Sequence, residues 1–172
     1  MVERQWRLRA VFAAVGVVAI ADRLAGEAEQ SLKKGHSASA RDGLMRASSY
    51  YRSAEFFLHA DPGDPRVKYS YERSVACFAE AGGLFSPPIE PVSIPYDGTV
   101  LHGYFYRGGP GTRPAIVMHN GFDGSAEEMH YFGAAAAAER GFGVLHYDEH
   151  FDRLASVLGF TSQWVAPAGS IS

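Results

Sequence analysis

The sequence predicts an α/β protein in which a bundle of helices, residues 1–86, precedes the strands and crossover helix of a sheet in residues 87–148. Three observations predict it. Apolar residues recur at helical spacing through the first half, the period changes at Ser86-Pro87-Pro88, and a strand–helix–strand pattern of ~30 residues comes next. With 172 residues, 47% hydrophobic and 20% charged, the chain has globular composition and enough apolar mass for a core.

The first helix is expected over residues 5–33, stopping near Gly35. Arg4, Arg7 and Arg9 precede VFAAVGVVAIA, and an Ala-x-Ala-like step ends that run before Asp22. Residues 1–21 therefore have the outline of a secretory signal, too short to span a bilayer. The helical pattern runs on without a break through ADRLAGEAEQSLKK, so a buried helix is the preferred reading and the cytoplasm the expected location. In the second helix, Leu44, Ala47, Tyr51, Ala54 and Leu58 share a face. DPGDP (61–65) stops it with two prolines and a glycine. A third helix sets Tyr71, Val75, Phe78 and Ala79 on one face and ends at Gly82-Gly83. Cys77 falls among its apolar residues. As the lone cysteine it excludes an intrachain disulfide and a multi-cysteine zinc site.

Beyond the prolines, IEPVSIPY and TVLHGYFYRG have strand composition and flank Asp97-Gly98, a hairpin signal. Pro91 and Pro95 lack an N–H for a ladder and place the first of these strands at an edge. PAIVMHN reads as a strand buried on both faces. Ser125 to Arg140 reads as a helix opened by a capping box, Ser125 with Glu128, and closed by Gly141. FGVLHYD is the next strand, completing a βαβ unit of right-handed crossover.

The informative stretch is AIVMHNGFDGSAEE, residues 115–128. A strand that ends in glycines before a capped helix leaves backbone N–H groups facing the crevice at the strand's carboxyl end, which suits an anion. Gly121-Phe-Asp-Gly124 is neither a Walker A loop nor Gly-x-Gly-x-x-Gly, so a nucleotide phosphate is disfavoured. The oxyanion of a tetrahedral acyl intermediate fits, since α/β-hydrolases take one donor from the loop after their third strand. A plain strand-to-helix turn, with glycines serving only φ, stands beside it. His146-Tyr-Asp-Glu149-His150 matches an inverted zincin pattern, but on a strand its histidines stand about 13 Å apart, beyond a shared metal. His119 and His130 read as loop and helix-surface residues. The net charge of −3 provides no basic footprint for nucleic acid or for an anionic membrane.

Taken together, SARDGLMRASSYYRSAEFFLHADPGDPR, RSVACFAEAGGLF, PIEPVSIPYDGTVLHGYFYRGG and RPAIVMHNGFDGSAEEMHYFGAAAAAERGFGVLHYD resemble one family over about residues 36–148. It is the α/β-hydrolases with an N-terminal helical cap, which include 2,6-dihydropseudooxynicotine hydrolase and the fungal polyketide-shortening hydrolases of pigment synthesis. The resemblance implies a cap in residues 1–86 and an incomplete α/β-hydrolase sheet in residues 87–148. It implies main-chain oxyanion donors at Gly121 and Phe122, with Asp123 and Gly124 shaping the loop. Tyr50, Tyr51, Arg52 and Glu55 resemble a recurrent motif of the cap, where packing is the expected role.

The family continues into a nucleophile elbow, Gly-x-Ser-x-Gly, and the 172 residues contain none. Gly35-His-Ser37-Ala-Ser39 lacks the last glycine. Residues 149–172 read as a divergent tail of a truncated or frameshifted frame. The expectation is thus an ester, acyl or C–C bond hydrolase by descent, inactive in this chain, with no cofactor or metal and a small carbonyl substrate if completed. Its expected partners are a second copy or a complementing fragment, with no nucleic acid and no membrane. The alternative is a non-catalytic binding protein that works through the helical cap.

Overall fold

The computed structural model describes residues 2–59, 61–96, 99–112, 114–121, 124–140, 144–146 and 162–164. They form two units, residues 1–90 and 91–172.

The first unit is three helices, α1 (Val2–Lys33), α2 (Ser37–Phe57) and α3 (Pro65–Gly83). α1 ends as glycine chemistry dictates. Gly35 sits at φ 79°, His36 N–H reaches the Ser31 carbonyl and Gly35 N–H the Leu32 carbonyl, the paired bonds of a Schellman stop. Its apolar seam is narrow: Ala14, Ala21, Leu24, Ala25 and Ala28 are buried. Small residues let α2 approach closely, and a Cβ added at Gly43 of α2 would lie 2.9 Å from the Ala28 Cβ. On α2 the expected stripe of Leu44, Ala47, Tyr51, Ala54 and Leu58 is buried at every position.

α3 starts where Asp64 accepts the Arg66 N–H at 2.9 Å, with Pro65 at the first helical position, whose missing N–H costs nothing there. Its buried face corrects the sequence reading. Tyr71 is half exposed, and the residues turned inward are Ser70, Ser74, Cys77, Phe78 and Ala81. Periodicity ranked Tyr71 above a serine, yet Tyr71 stays half exposed while Ser74 lies in the α2–α3 crossing. The crossing holds a reciprocal pair in which Ser48 Oγ donates to the Ser74 carbonyl at 2.8 Å and Ser74 Oγ to the Ser48 carbonyl at 2.9 Å. Both hydroxyls of this pair are satisfied by the opposing backbone, whereas the buried Ser70 Oγ has no hydrogen-bond partner among the described residues.

The polar motif of α2 also packs inward. Tyr51, fully buried, donates to Asp22 of α1 and accepts from Arg73 Nε of α3 at 3.3 Å, so one phenol joins all three helices. Burial first, then the Asp22 contact, pushes its hydroxyl pKa well up. Arg52 and Glu55 are buried as an ion pair, and His59 meets the other oxygen of Glu55. Tyr50 faces out at 40% exposure. Packing is thus the role three of these four side chains play.

In the second unit, β1 (Glu90–Tyr96) and β2 (Thr99–Phe105) form a two-stranded sheet. Two intervening residues permit only an antiparallel hairpin; Asp97 and Gly98 themselves lie outside the described residues. Among the described residues these two strands make up the sheet, and Pro91 and Pro95 are exposed on β1. Beyond β2, the structure corrects three expectations. Residues 114–121 form no strand, because an apolar run becomes one only when neighbours take its N–H and C=O groups, and no ladder partner stands beside it among the described residues. The helix expected over 125–140 is divided into a 3₁₀ turn at Glu127–His130 and α4 (Ala134–Arg140). Gly133, at φ 131°, makes the break, since that backbone conformation cannot continue a helix. Finally β3 (Val144–His146), within the strand expected at FGVLHYD, pairs in parallel with β4 (Ser162–Trp164), Leu145 opposite Gln163, and β4 lies in the tail where the sequence reading placed no element.

No described helix is long and apolar enough to cross a membrane.

Candidate functional site

The corner after residue 118 is built by one side chain and two glycines. Ala115–Met118 is a half-buried apolar lead-in, after which Asn120 turns its amide onto the backbone of residues 121 and 124. Asn120 Nδ2 donates to the Gly124 carbonyl at 2.5 Å and to the Gly121 carbonyl at 3.2 Å. Gly124 N–H closes the turn on the Gly121 carbonyl at 3.2 Å, the i to i+3 bond of a four-residue turn. Position 124 admits only glycine, because a Cβ there would lie 2.9 Å from the Asn120 Cβ. Gly121 is exposed. Phe122 and Asp123, expected as donor and loop former, lie outside the described residues.

Downstream, the capping box is half made. Glu128 Oε2 accepts the Ser125 N–H at 2.7 Å, as the glutamate of such a box should. The serine does not reciprocate. Its Oγ is buried and has no hydrogen-bond partner among the described residues.

Two tyrosines then tie the 3₁₀ turn to the hairpin. Tyr104 donates to Glu127 Oε1 at 2.8 Å, which satisfies a carboxylate that is 7% exposed. Tyr106 shares a 3.2 Å hydrogen bond with His130 Nδ1, the two rings lying 5.9 Å apart. Burial pushes the Tyr106 hydroxyl pKa up, with the Glu127 charge acting in the same sense, and burial pushes His130 down. At neutral pH the pair is therefore an intact phenol against a neutral imidazole. His130 is thus not the surface residue expected: at the end of the 3₁₀ turn its ring is half-buried against Tyr106.

Among the described residues, neither of the two side-chain hydroxyl–imidazole contacts, Tyr106 with His130 and Ser93 with His102, is arranged as nucleophile and base. In the second, Ser93 Oγ lies 3.4 Å from His102 Nδ1 on the exposed hairpin, and no carboxylate orients that ring among the described residues. His119 is exposed, with Nδ1 3.0 Å from the Asn120 carbonyl. His146 ends β3, and the rest of the zincin-like pattern, residues 147–150, lies outside the described residues. No three metal-ligating side chains converge among the described residues.

Among the described residues of the corner, Asn120 thus holds the Gly121 and Gly124 carbonyls, while the Gly124 and Ser125 N–H groups are taken by the Gly121 carbonyl and by Glu128. The sequence reading missed Asn120, Tyr104 and Tyr106. A signal existed for each: asparagine beside glycine favours side chain-to-backbone turns, and Tyr104 and Tyr106, two apart, project to one face of an extended chain.

No family model matches the chain. Individual proteins do. Hydrolase LUC6 of a Fusarium species is 37% identical over 127 residues, 70% of this chain and 30% of that protein. Hydrolase acrC of Aspergillus aculeatus is 34% identical over 144 residues, 74% of this chain and 34% of that protein. The 20-hydroxy-prefusarin hydrolase FUS2 of Gibberella moniliformis is 33% identical over 134 residues, 74% of this chain and 32% of that protein. Among solved structures, that of 2,6-dihydroxy-pseudo-oxynicotine hydrolase aligns with a TM-score of 0.63 at 29% identity, over 74% of this chain and 35% of that one. The chain thus spans about a third of the length of the curated relatives it matches.

Proposed function

The chain belongs to the α/β-hydrolases, and from that premise we propose that it supplies two parts of such an enzyme, the helical cap and the first half of the oxyanion hole. Residues 1–86 serve as the cap and residues 87–148 as the forward part of the hydrolase domain. Gly121 and Phe122 offer main-chain N–H groups, and Asp123 and Gly124 shape the loop that presents them. The observation that supports this best is the turn closed by the Asn120 amide onto both glycine carbonyls, in a chain whose named relatives are hydrolases.

The chemistry is acyl or C–C bond hydrolysis of a small molecule through its carbonyl group. A nucleophile adds to the carbonyl carbon, the π electrons move to the oxygen, and an N–H aimed at that oxygen lowers the barrier by about 3 kcal/mol per donor. The second donor of such a hole comes directly after the nucleophilic serine in its elbow. The 172 residues hold no Gly-x-Ser-x-Gly, so this polypeptide alone is not expected to turn over.

Purified chain incubated with p-nitrophenyl acetate should release nitrophenol at the buffer rate, and a serine-directed fluorophosphonate should leave its mass unchanged. Stoichiometric labelling of a serine would overturn the assignment of roles. Mixing the chain with a fragment that carries a Gly-x-Ser-x-Gly elbow should produce a co-eluting species that labels on that serine.

A further inference from the structure

We propose that the outer face of α1 is a self-docking surface, on which a second copy of this chain lays its own α1 antiparallel. The inner side of α1 is the seam of Ala14, Ala21, Ala25 and Ala28, all buried. On the far side, Arg9, Phe12, Gly16, Ile20, Arg23 and Glu27 follow one another at intervals of three or four, and all six are exposed. Such intervals keep side chains on one face of a helix. From Arg9 to Glu27 that face runs about 27 Å at 1.5 Å per residue. Its middle is apolar, with Phe12 75% and Ile20 38% exposed. Its ends carry opposite charge, Arg9 at one and Glu27 at the other; Glu27 engages Arg23 of its own helix through one carboxylate oxygen at 2.8 Å.

That order of charges selects both the occupant and its direction. A parallel pair of α1 helices would set Arg9 on Arg9 and Glu27 on Glu27. An antiparallel pair with its twofold axis at Val18 sets each Arg9 against the other copy's Glu27, and each Gly16 against the other copy's Ile20. The face is thus complementary to itself, as a twofold interface requires. Shape agrees with charge. Nothing lies within 4 Å of the position a Cβ would take at Gly16, so the gap beside that glycine admits the Ile20 side chain of the second copy as a knob enters a hole.

The test is sedimentation equilibrium of the purified 172-residue chain, with helical ellipticity as the control for folding. Over micromolar concentrations the chain should associate to twice its 18.7 kDa. Gly16→Arg fills the open space beside the glycine and should weaken association by at least about tenfold with ellipticity kept. Arg9→Glu sets like charges against each other at both ends of the dimer and should weaken it about tenfold. Combining Arg9→Glu with Glu27→Arg reverses both ends and should restore association; the exposed Arg23–Glu27 pair lost in doing so is worth little. A parallel pair predicts no such loss and recovery, since like charges face each other in every variant. A wild-type chain that stays monomeric overturns the proposal. So does association unmoved by Gly16→Arg, or a double variant as weak as Arg9→Glu alone. A monomer that floats with phosphatidylglycerol vesicles would give the face to a lipid surface and overturn it too.

Discussion

Ser125 and Glu128 show how one short motif divides its work unequally. The glutamate holds a backbone N–H, whereas the serine hydroxyl is buried with no partner among the described residues, a desolvated group with no compensating bond there. Ser125→Ala should therefore shift the urea midpoint little or upward, by no more than about 0.5 kcal/mol. Glu128→Ala should cost about 1 kcal/mol, because it releases the Ser125 N–H. Reversed effects in parallel urea titrations would contradict the half-made box. Asp64 makes a second residue-scale case. Hydrogen bonds from the Arg66 guanidinium, then from the Arg66 N–H, hold its carboxyl pKa down, from 3.8 to about 2. A depressed folded pKa adds stability that is fully present above the unfolded value and lost as pH falls through the folded one. The window is thus from pH about 4 down to about 2. Carboxyl ¹³C titration should place the midpoint near its lower end, and Asp64→Asn should remove that part of the acid response.

Between elements, small residues set the closest approaches, beside the buried Leu44, Tyr51 and Phe78. Gly43 against Ala28 lets α1 and α2 approach, and the exchanged serine bonds do the same for α2 and α3. At Gly43 two effects oppose each other. Alanine favours a helix interior by about 1 kcal/mol, whereas overpacking costs about 1–3 kcal/mol. Overpacking should win, since a separation of 2.9 Å lies below any real Cβ contact and the opposing atom is bound to backbone. Gly43→Ala is expected to lower the melting temperature in circular dichroism, and a rise would show that the helices part at little cost. The same scale explains the split of 125–140. AAAAAER is a strong helix former, but Gly133 in a positive-φ conformation detaches it from the turn before, in which His130 meets Tyr106.

For the molecule as a whole, the helical unit is the part whose core can be tracked by one probe. Cys77 is buried on α3, and burial pushes its thiol up to about 11. At pH 8 the folded chain should resist a thiol-specific disulfide reagent, because the reactive thiolate is both scarce and covered. Labelling should appear in urea together with the loss of helical ellipticity. Fast labelling before that transition would place Cys77 on an open face. In the second unit the two small sheets share no strand, β1 with β2 and β3 with β4. The apolar lead-in at 115–118 remains half-buried rather than laddered.

The helices of the cap were legible because their signals are local: Gly35 and DPGDP stop the chain by their own φ preferences, and the Leu44–Leu58 stripe comes from a period of 3.6. The family was legible from residue order, and the glycines of the corner from the same stretch. The buried face of α3, the irregular path of PAIVMHN and the pairing of Ser162–Trp164 were not, since each depends on what a distant segment offers in return. A side chain's period shows which residues share a face. Only the partner decides which face is inside, which backbone groups are paired, and that Asn120 spends its amide on the two glycines that bracket the proposed oxyanion donor.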